Sequence, residues 1–274
     1  MPATAATPVT VDTDPAIIAE RFAADGCLLV RGLYDAETVR ELETAFDGIV
    51  ADLLTSGEKV NAGWKSAAEI DKNTEFEIVH THQVQSWSAA WARALFDPRL
   101  MQVVTPILGN DVILHHTKLF QKPPSVGAPF PMHQDWGYFP TRQDSMIAAI
   151  VHVSPATAEM GCVRAYPGSH REGRIASASG RSSDDSAAWQ SFTKRYPLDE
   201  APLFEAEPGD VFLFHYFTVH GSGINVSDKT RKTVLFQLMA GTDEVEQPEG
   251  HTFSGLVLNG RAHGMTRSRA ARLA

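Results

Sequence analysis

Three residues carry side chains suited to a single divalent metal ion. His133 and Asp135 stand in Pro131-Met132-His133-Gln134-Asp135-Trp136, and His220 stands far downstream in Thr218-Val219-His220-Gly221-Ser222-Gly223. In an extended chain residues i and i+2 project to the same side, so an imidazole nitrogen and a carboxylate oxygen can reach one ion. A strand running into a glycine-flanked turn is expected to deliver His220 as the third ligand. Two imidazoles and one carboxylate on one face of an octahedron leave three positions open, the donor set of non-haem iron(II) oxygenases. Those positions suit oxygen together with a chelating co-substrate. His215 is the rival third ligand, but it lacks the glycine-rich turn.

Arg231 follows His220 by eleven residues and opens an apolar strand. A guanidinium there can pair bidentately with the distal carboxylate of 2-oxoglutarate, whose other end would chelate the metal. Ser222, between the last ligand and Arg231, has a hydroxyl that can add a hydrogen bond to the same carboxylate. Trp136, Tyr138 and Phe139 adjoin a ligand and either shape a substrate pocket or belong to the core. Arg171, Arg174 and Arg181 read as a solvated face or as a basic patch for an anionic substrate. His170 closes a Pro-Gly-Ser-His turn, where a structural hydrogen bond is expected.

The elements that must position these residues fall into two textures. Asp14-Pro15 with Ile17, Ile18 and Phe22 reads as a capped amphipathic helix that stops at Gly26. A strand over 27–30 and a helix over 36–54 follow, with Val39, Leu42, Phe46, Ile49 and Val50 on one helical face. Residues 55–85 show no sustained period, and helices are expected over 86–96 and 99–108, divided by Asp97-Pro98. From Asp111 onward short apolar or alternating runs replace the helical period. Strands are expected over 112–120, 146–153, 162–166, 203–206, 211–214 and 232–239, the pattern of an antiparallel sandwich or barrel. The organisation expected is a flexible tail over 1–14 and a single domain over 15–274. That domain divides into a helical part (about 15–110), a β core (about 111–240) and a lid-like insertion (about 173–199).

Composition narrows the partners. The 274 residues are 43% apolar and 21% charged, as in soluble globular proteins, and contain no apolar run long enough to span a bilayer. A net charge of −9 leaves no basic field for a nucleic-acid backbone, which favours a small-molecule partner. Cys27 and Cys162 fit no zinc or redox spacing and read as buried apolar groups. The first fifteen residues lack the charged start and apolar stretch of a secretory signal, so a cytoplasmic setting is expected. Nothing in the sequence speaks to oligomeric state.

Several separate motifs resemble the phytanoyl-CoA dioxygenase family. They are His133-Gln-Asp with Tyr138-Phe139-Pro140, Gly161-Cys162-Val163-Arg164 leading to Pro167-Gly168-Ser169-His170, Gly209-Asp210-Val211, and His220-Gly-Ser-Gly with Asn225 and Arg231. The resemblance runs from the opening helix to about Leu238. It implies a mainly β fold with flanking α, a double-stranded β-helix (jelly roll, cupin-like) with helices packed on one side. By position it implies His133, Asp135 and His220 as Fe(II) ligands and Arg231 as the anchor of 2-oxoglutarate. Ser222 and Gln134 match positions near that co-substrate, and Lys118 lies on the strand that lines its pocket. The implied activity is hydroxylation of an unactivated C–H bond in a small molecule or acyl derivative, using O2 and releasing succinate and CO2. An acyl-CoA substrate is one option that the family name suggests. Retention of Asp135 favours hydroxylation over halogenation, in which a small residue replaces the carboxylate to admit chloride. Desaturation, cyclisation or epimerisation by the same oxidant, or a metal-binding barrel without turnover, are the alternatives.

Overall fold

The computed structural model describes residues 7–58, 78–125, 127–178, 187–247 and 254–271. Its first helix, α1 (Pro15–Asp25), begins where the Asp14 carboxylate accepts from the Ala16 amide at 2.8 Å. It ends at Gly26, whose φ of 67° suits a residue without a side chain. Strand β1 (Cys27–Val30) follows and is buried throughout. Helix α2 (Ala36–Thr55) buries Val39, Leu42, Phe46, Ile49, Val50 and Leu53, the expected face extended by one turn. Beyond it lie β2 (Val79–His82), the short helices α3 (Val84–Trp87) and α4 (Ala89–Leu95), and α5 (Pro98–Leu108). The single helix expected over 86–96 is broken at Ser88, which is extended and caps α4. The apolar period continues across the break because both pieces pack on the same surface.

The β-rich part comprises β3 (Val112–Lys122), β4 (Phe130–His133), β5 (Ile147–His152), β6 (Val163–Ala165), β7 (Leu203–Phe204), β8 (Val211–His215), β9 (His220–Ser222), β10 (Arg231–Ala240) and β11 (Leu256–Asn259). Helix α6 (Ala187–Arg195) lies between β6 and β7, and α7 (Arg267–Ala270) comes last. A seven-stranded sheet runs β1-β8-β5-β10-β3-β11, with β2 also on β3, and a four-stranded sheet runs β4-β9-β6-β7. From β3 to β10 the strands alternate between the sheets except that β6 and β7 are neighbours in the smaller one, all these pairings being antiparallel, which is the double-stranded β-helix.

Alternation along the strands divides the core. Val234, Phe236 and Leu238 of β10 pack outward with the faces of α1, α2, α4 and α5. Leu235 faces inward and joins Ala148, Phe212 and Phe214 against Val163 and Phe204 of the smaller sheet. Arg231, Thr233, Gln237 and Met239 share its parity. A register shift between Gln237 and Leu238 leaves His115 as the extra residue on β3. Past this bulge His116, Lys118, Phe120 and Lys122 share the inward parity.

Two observations bear on the expected organisation. The segment read as a loose tail includes Val9, which is buried and bonds both sides of the chain to β1 and Arg31 (Val9 N to Leu29 O, 2.9 Å; Arg31 N to Val9 O, 2.8 Å). A β-branched residue beside an edge strand gains both ladder bonds and apolar burial there. Trp189 and Phe192 of α6 pack on Met132 and Val219, on the outer face of the strands that carry His133 and His220. Residues 179–186, including Arg181, lie outside the described set.

Candidate metal centre and co-substrate site

Two neighbouring strands and one turn assemble the three candidate ligands. His133 closes β4 and pairs in register with His220, the first residue of β9. A register irregularity between Phe130 and His133 turns both of them inward. Gln134 is extended (φ −114°, ψ 143°), so the i, i+2 relation between His133 and Asp135 holds across it, although Asp135 already opens a 3-10 turn, Asp135–Gly137. The Asp135 amide donates to Tyr216 O at 2.9 Å, pinning that turn to the segment leading into β9.

The ligand atoms of His133, Asp135 and His220 lie within 4.8 Å of one another. Nε2 of His133 is 3.3 Å and Nε2 of His220 is 3.7 Å from Asp135 Oδ1. Each ring is oriented from behind: Nδ1 of His133 donates to Pro131 O at 2.8 Å, and Nδ1 of His220 to Thr218 O at 2.9 Å. With Nδ1 so engaged, the Nε2 atoms converge beside the carboxylate, as metal-bound histidines are held. Burial opposes charge on Asp135, but His220, the bond from His133 and the nearby Lys118 ammonium outweigh it and hold the carboxyl below its ordinary range. Burial, with His133 beside it, pushes His220 down to about 4. Ionised Asp135 with neutral His220 is the protonation state that a divalent ion requires. Donor types, orientation and charge all fit the iron-type ligand set.

A second cluster lies at the Arg231 end. Arg231 is 4% exposed, its Nη1 donates to Gly161 O, and its Nε has no partner among the described residues. Gly161 is fixed by that geometry, because its φ is +65° and a Cβ would stand 2.4 Å from Gly223 O. Directly across the ladder from Arg231 is Lys122, fully buried, whose Nζ donates to Ser222 Oγ and Gly223 O, both at 2.7 Å. Burial, together with the Arg231 charge, pushes the Lys122 ammonium well below its usual value, and burial brings Arg231 down to about 10. No ion pair engages either group among the described residues. Two adjoining buried basic groups with no acidic partner among the described residues suit an anion, and a ligand carboxylate fits that need. His152 stands at the same end, its Nδ1 3.3 Å from Asp210 O and its Nε2 without a partner among the described residues.

Lys122 was missed in the sequence, where Lys118 was singled out. Both lysines have the same parity on β3, so the pattern offered them equally. Only the β3–β10 register decides, pairing Lys122 with Arg231 and Lys118 with Leu235. Gln134 also differs from expectation. Its Nε2 donates to Phe217 O (2.6 Å) and Gly173 O (3.0 Å), while its Oε1 accepts from Trp136 Nε1 (2.8 Å) and Ile175 N (2.9 Å). Every hydrogen-bonding position of this amide is engaged by protein, leaving none for a co-substrate. Its neighbour Phe139 is buried against His115 and His116, while Trp136 and Tyr138 remain partly open. The rival His215 donates from Nε2 to Asp144 O at 2.9 Å and accepts Phe217 N at Nδ1, so both nitrogens are used away from the cluster. His170 donates to Ala23 O at 3.1 Å, Arg171 to Ala24 O, and Arg174 pairs with Asp144 and Glu246.

Comparison with known proteins agrees with the motifs. The profile of the phytanoyl-CoA dioxygenase (PhyH) family matches residues 22–233. The chain belongs to that family. Among curated relatives, a probable alpha-ketoglutarate-dependent hypophosphite dioxygenase of Stutzerimonas stutzeri is 31% identical over 149 residues, covering 50% of this chain and 48% of its own. The chain thus spans about half the length of that relative. The ectoine dioxygenase of Sphingopyxis alaskensis is 26% identical over 249 residues, covering 85% of this chain and 78% of its own. Two solved structures share the fold. The epimerase SnoN of nogalamycin biosynthesis, in complex with Fe3+ and alpha-ketoglutarate, superposes with a TM-score of 0.69 at 22% identity, covering 93% of this PhyH-family chain and 98% of its own. EctD from S. alaskensis with bound Fe gives 0.67 at 22% identity, covering 92% and 87%. The PhyH chain is therefore cupin-like in architecture. No helix among its described residues is long and apolar enough to cross a membrane.

Proposed function

We propose that this protein is an Fe(II)- and 2-oxoglutarate-dependent dioxygenase that hydroxylates an unactivated C–H bond of a small organic molecule or acyl derivative, releasing succinate and CO2. One observation carries the reading: a His-Asp-His set and a buried Arg231–Lys122 pair face the same space between the sheets, joined by β9, which bears both His220 and Ser222. His133, Asp135 and His220 hold the ion. Arg231, Lys122 and Ser222 hold the distal carboxylate of the keto acid, on the same strand face that carries His220. When bound, iron(II) supplies the activation of oxygen that no side chain of the protein can provide. The protein positions the reactants and excludes bulk water. The carboxylate ligand Asp135 supports hydroxylation over halogenation. Two buried, unpaired cysteines fit a cytoplasmic setting.

The test is oxygen consumption and succinate formation with iron(II) and 2-oxoglutarate, screened over candidate substrates, with mass spectrometry of the products. A product heavier by one oxygen atom supports hydroxylation. Loss of two hydrogens, ring closure or an unchanged mass with inverted stereochemistry would replace hydroxylation while keeping the oxidant. No iron-dependent succinate under any condition contradicts the whole reading.

A further inference from the structure

One cation facing the space between the sheets is not used by the co-substrate site. Along β3 the inward residues run His116, Lys118, Phe120 and Lys122. Lys118 Nζ lies 4.8 Å over the Phe120 ring, Lys122 Nζ lies 5.2 Å over the Phe130 ring, and the two rings are 5.6 Å apart. An aromatic pair therefore separates two ammonium stations. The Lys122 station has Ser222, Gly223 and Arg231. Lys118 has no hydrogen bond or ion pair among the described residues, and the carboxylate whose field reaches it is Asp135. A metal ion would claim that charge.

The surroundings of Lys118 are built for a polar ligand. Across the ladder stand His82 on one side and Leu235 on the other, with His116 at the next inward position. Opposite His116 is Gln237, which is fully buried with neither its amide nitrogen nor its oxygen partnered among the described residues. The same row continues through Ala148 to Phe214, whose ring is 4.2 Å from that of His220. The Gln237 amide and the Lys118 ammonium thus share one face on rows other than that of Arg231, and the Gln237 row leads to the ring beside His220. Buried polar groups are normally satisfied, and where protein does not do so a ligand or ordered water must.

Resting on the dioxygenase reading, we propose that the substrate carries an oxyanion, a carboxylate or phosphate group, held by Lys118 beside the metal centre. The Gln237 amide then serves a neighbouring polar group of the same molecule. Because the Lys118 row adjoins the Gln237 row that leads through Ala148 to Phe214 and the His220 ring, the oxidised C–H bond lies close to the anionic group rather than at the end of a long chain.

The inference is tested by calorimetric binding to the full chain loaded with manganese(II) and 2-oxoglutarate. The probes are small carboxylic acids, each paired with its methyl ester and primary amide, and small phosphate monoesters. The expected result is that acids or phosphates bind at least about tenfold more tightly than neutral counterparts, that Lys118→Met removes this preference, and that Lys118→Arg keeps it. Which of the two arms binds tells carboxylate from phosphate. Equal binding of acid and ester, no binding of any anion, or a Lys118→Met variant that weakens 2-oxoglutarate instead overturns the inference. Failure of 2-oxoglutarate to bind the metal-loaded protein at all would sink the dioxygenase reading beneath it.

Discussion

At the residue scale the site rests on groups whose freedom has been removed in advance. Both imidazoles have Nδ1 committed to a backbone carbonyl, so the ligand face is set before any ion arrives. His220→Ala or Asp135→Ala should lower metal affinity by about 100-fold or more and abolish succinate formation, measured by metal titration and product assay. Arg231→Lys should raise the KM for 2-oxoglutarate by about tenfold, because an ammonium cannot reproduce a planar fork. Lys122→Met should do likewise, and the double variant should fall short of the product of the two effects, since both act on one carboxylate. Gln134→Ala should reduce metal affinity by about tenfold without touching any ligand, because the amide ties the Asp135 turn to Phe217 and Ile175. The ligand triad and Arg231 were legible as residue types at given spacings. Lys122 and Gln134 were not, because strand parity cannot choose between two lysines four apart, and the direction of a buried amide is a tertiary fact.

At the element scale, the strands that carry ligands are short and inconspicuous in the sequence. Pro131 hides β4, which tolerates it because β4 is the edge of the four-stranded sheet. The alternation of Val79-His80-Thr81-His82 is too brief and polar to signal β2, yet that strand completes the edge of β3 beside Lys118. Helices α1, α2 and α5 were readable because capping residues and a long apolar stripe agree. Helix α6, lying in a stretch rich in Ser, Ala and Arg, owes its place to Trp189, Phe192 and Tyr196 packing behind β4 and β9. Phe192→Ala should destabilise the fold by about 3–5 kcal/mol in denaturant titration. It should also loosen metal binding, because Met132 and Val219 adjoin the two histidines. A stability loss with unchanged metal affinity would separate α6 from the site.

At the scale of the whole molecule, one buried carboxylate ties the end of β10 to the connection between the two sheets. Asp243 is 3% exposed and accepts from Thr141 Oγ1, Gln143 N, Ser145 N and Ser145 Oγ at 2.7–3.0 Å, joining the end of β10 to the loop that follows the metal turn. Burial acts to raise its carboxyl, and these donors outweigh burial to hold it below the ordinary 3.8. A depressed folded value means that its stabilisation is fully present above about pH 4 and is lost as pH falls through the lower folded value. Asp243→Asn should therefore be less stable than wild type at neutral pH, and the gap in urea midpoint should close in acid. The alternation of strands between sheets was implied by the family motifs, whereas registers such as Arg231 opposite Lys122 emerge only when β3 and β10 are paired. The measurement that bears most directly on the central claim is anaerobic calorimetric titration of 2-oxoglutarate into the protein with and without iron(II). One equivalent should bind per chain in the presence of metal, with binding strongly weakened in its absence and in His220→Ala; equal affinity in all three cases would contradict a shared metal and keto-acid site.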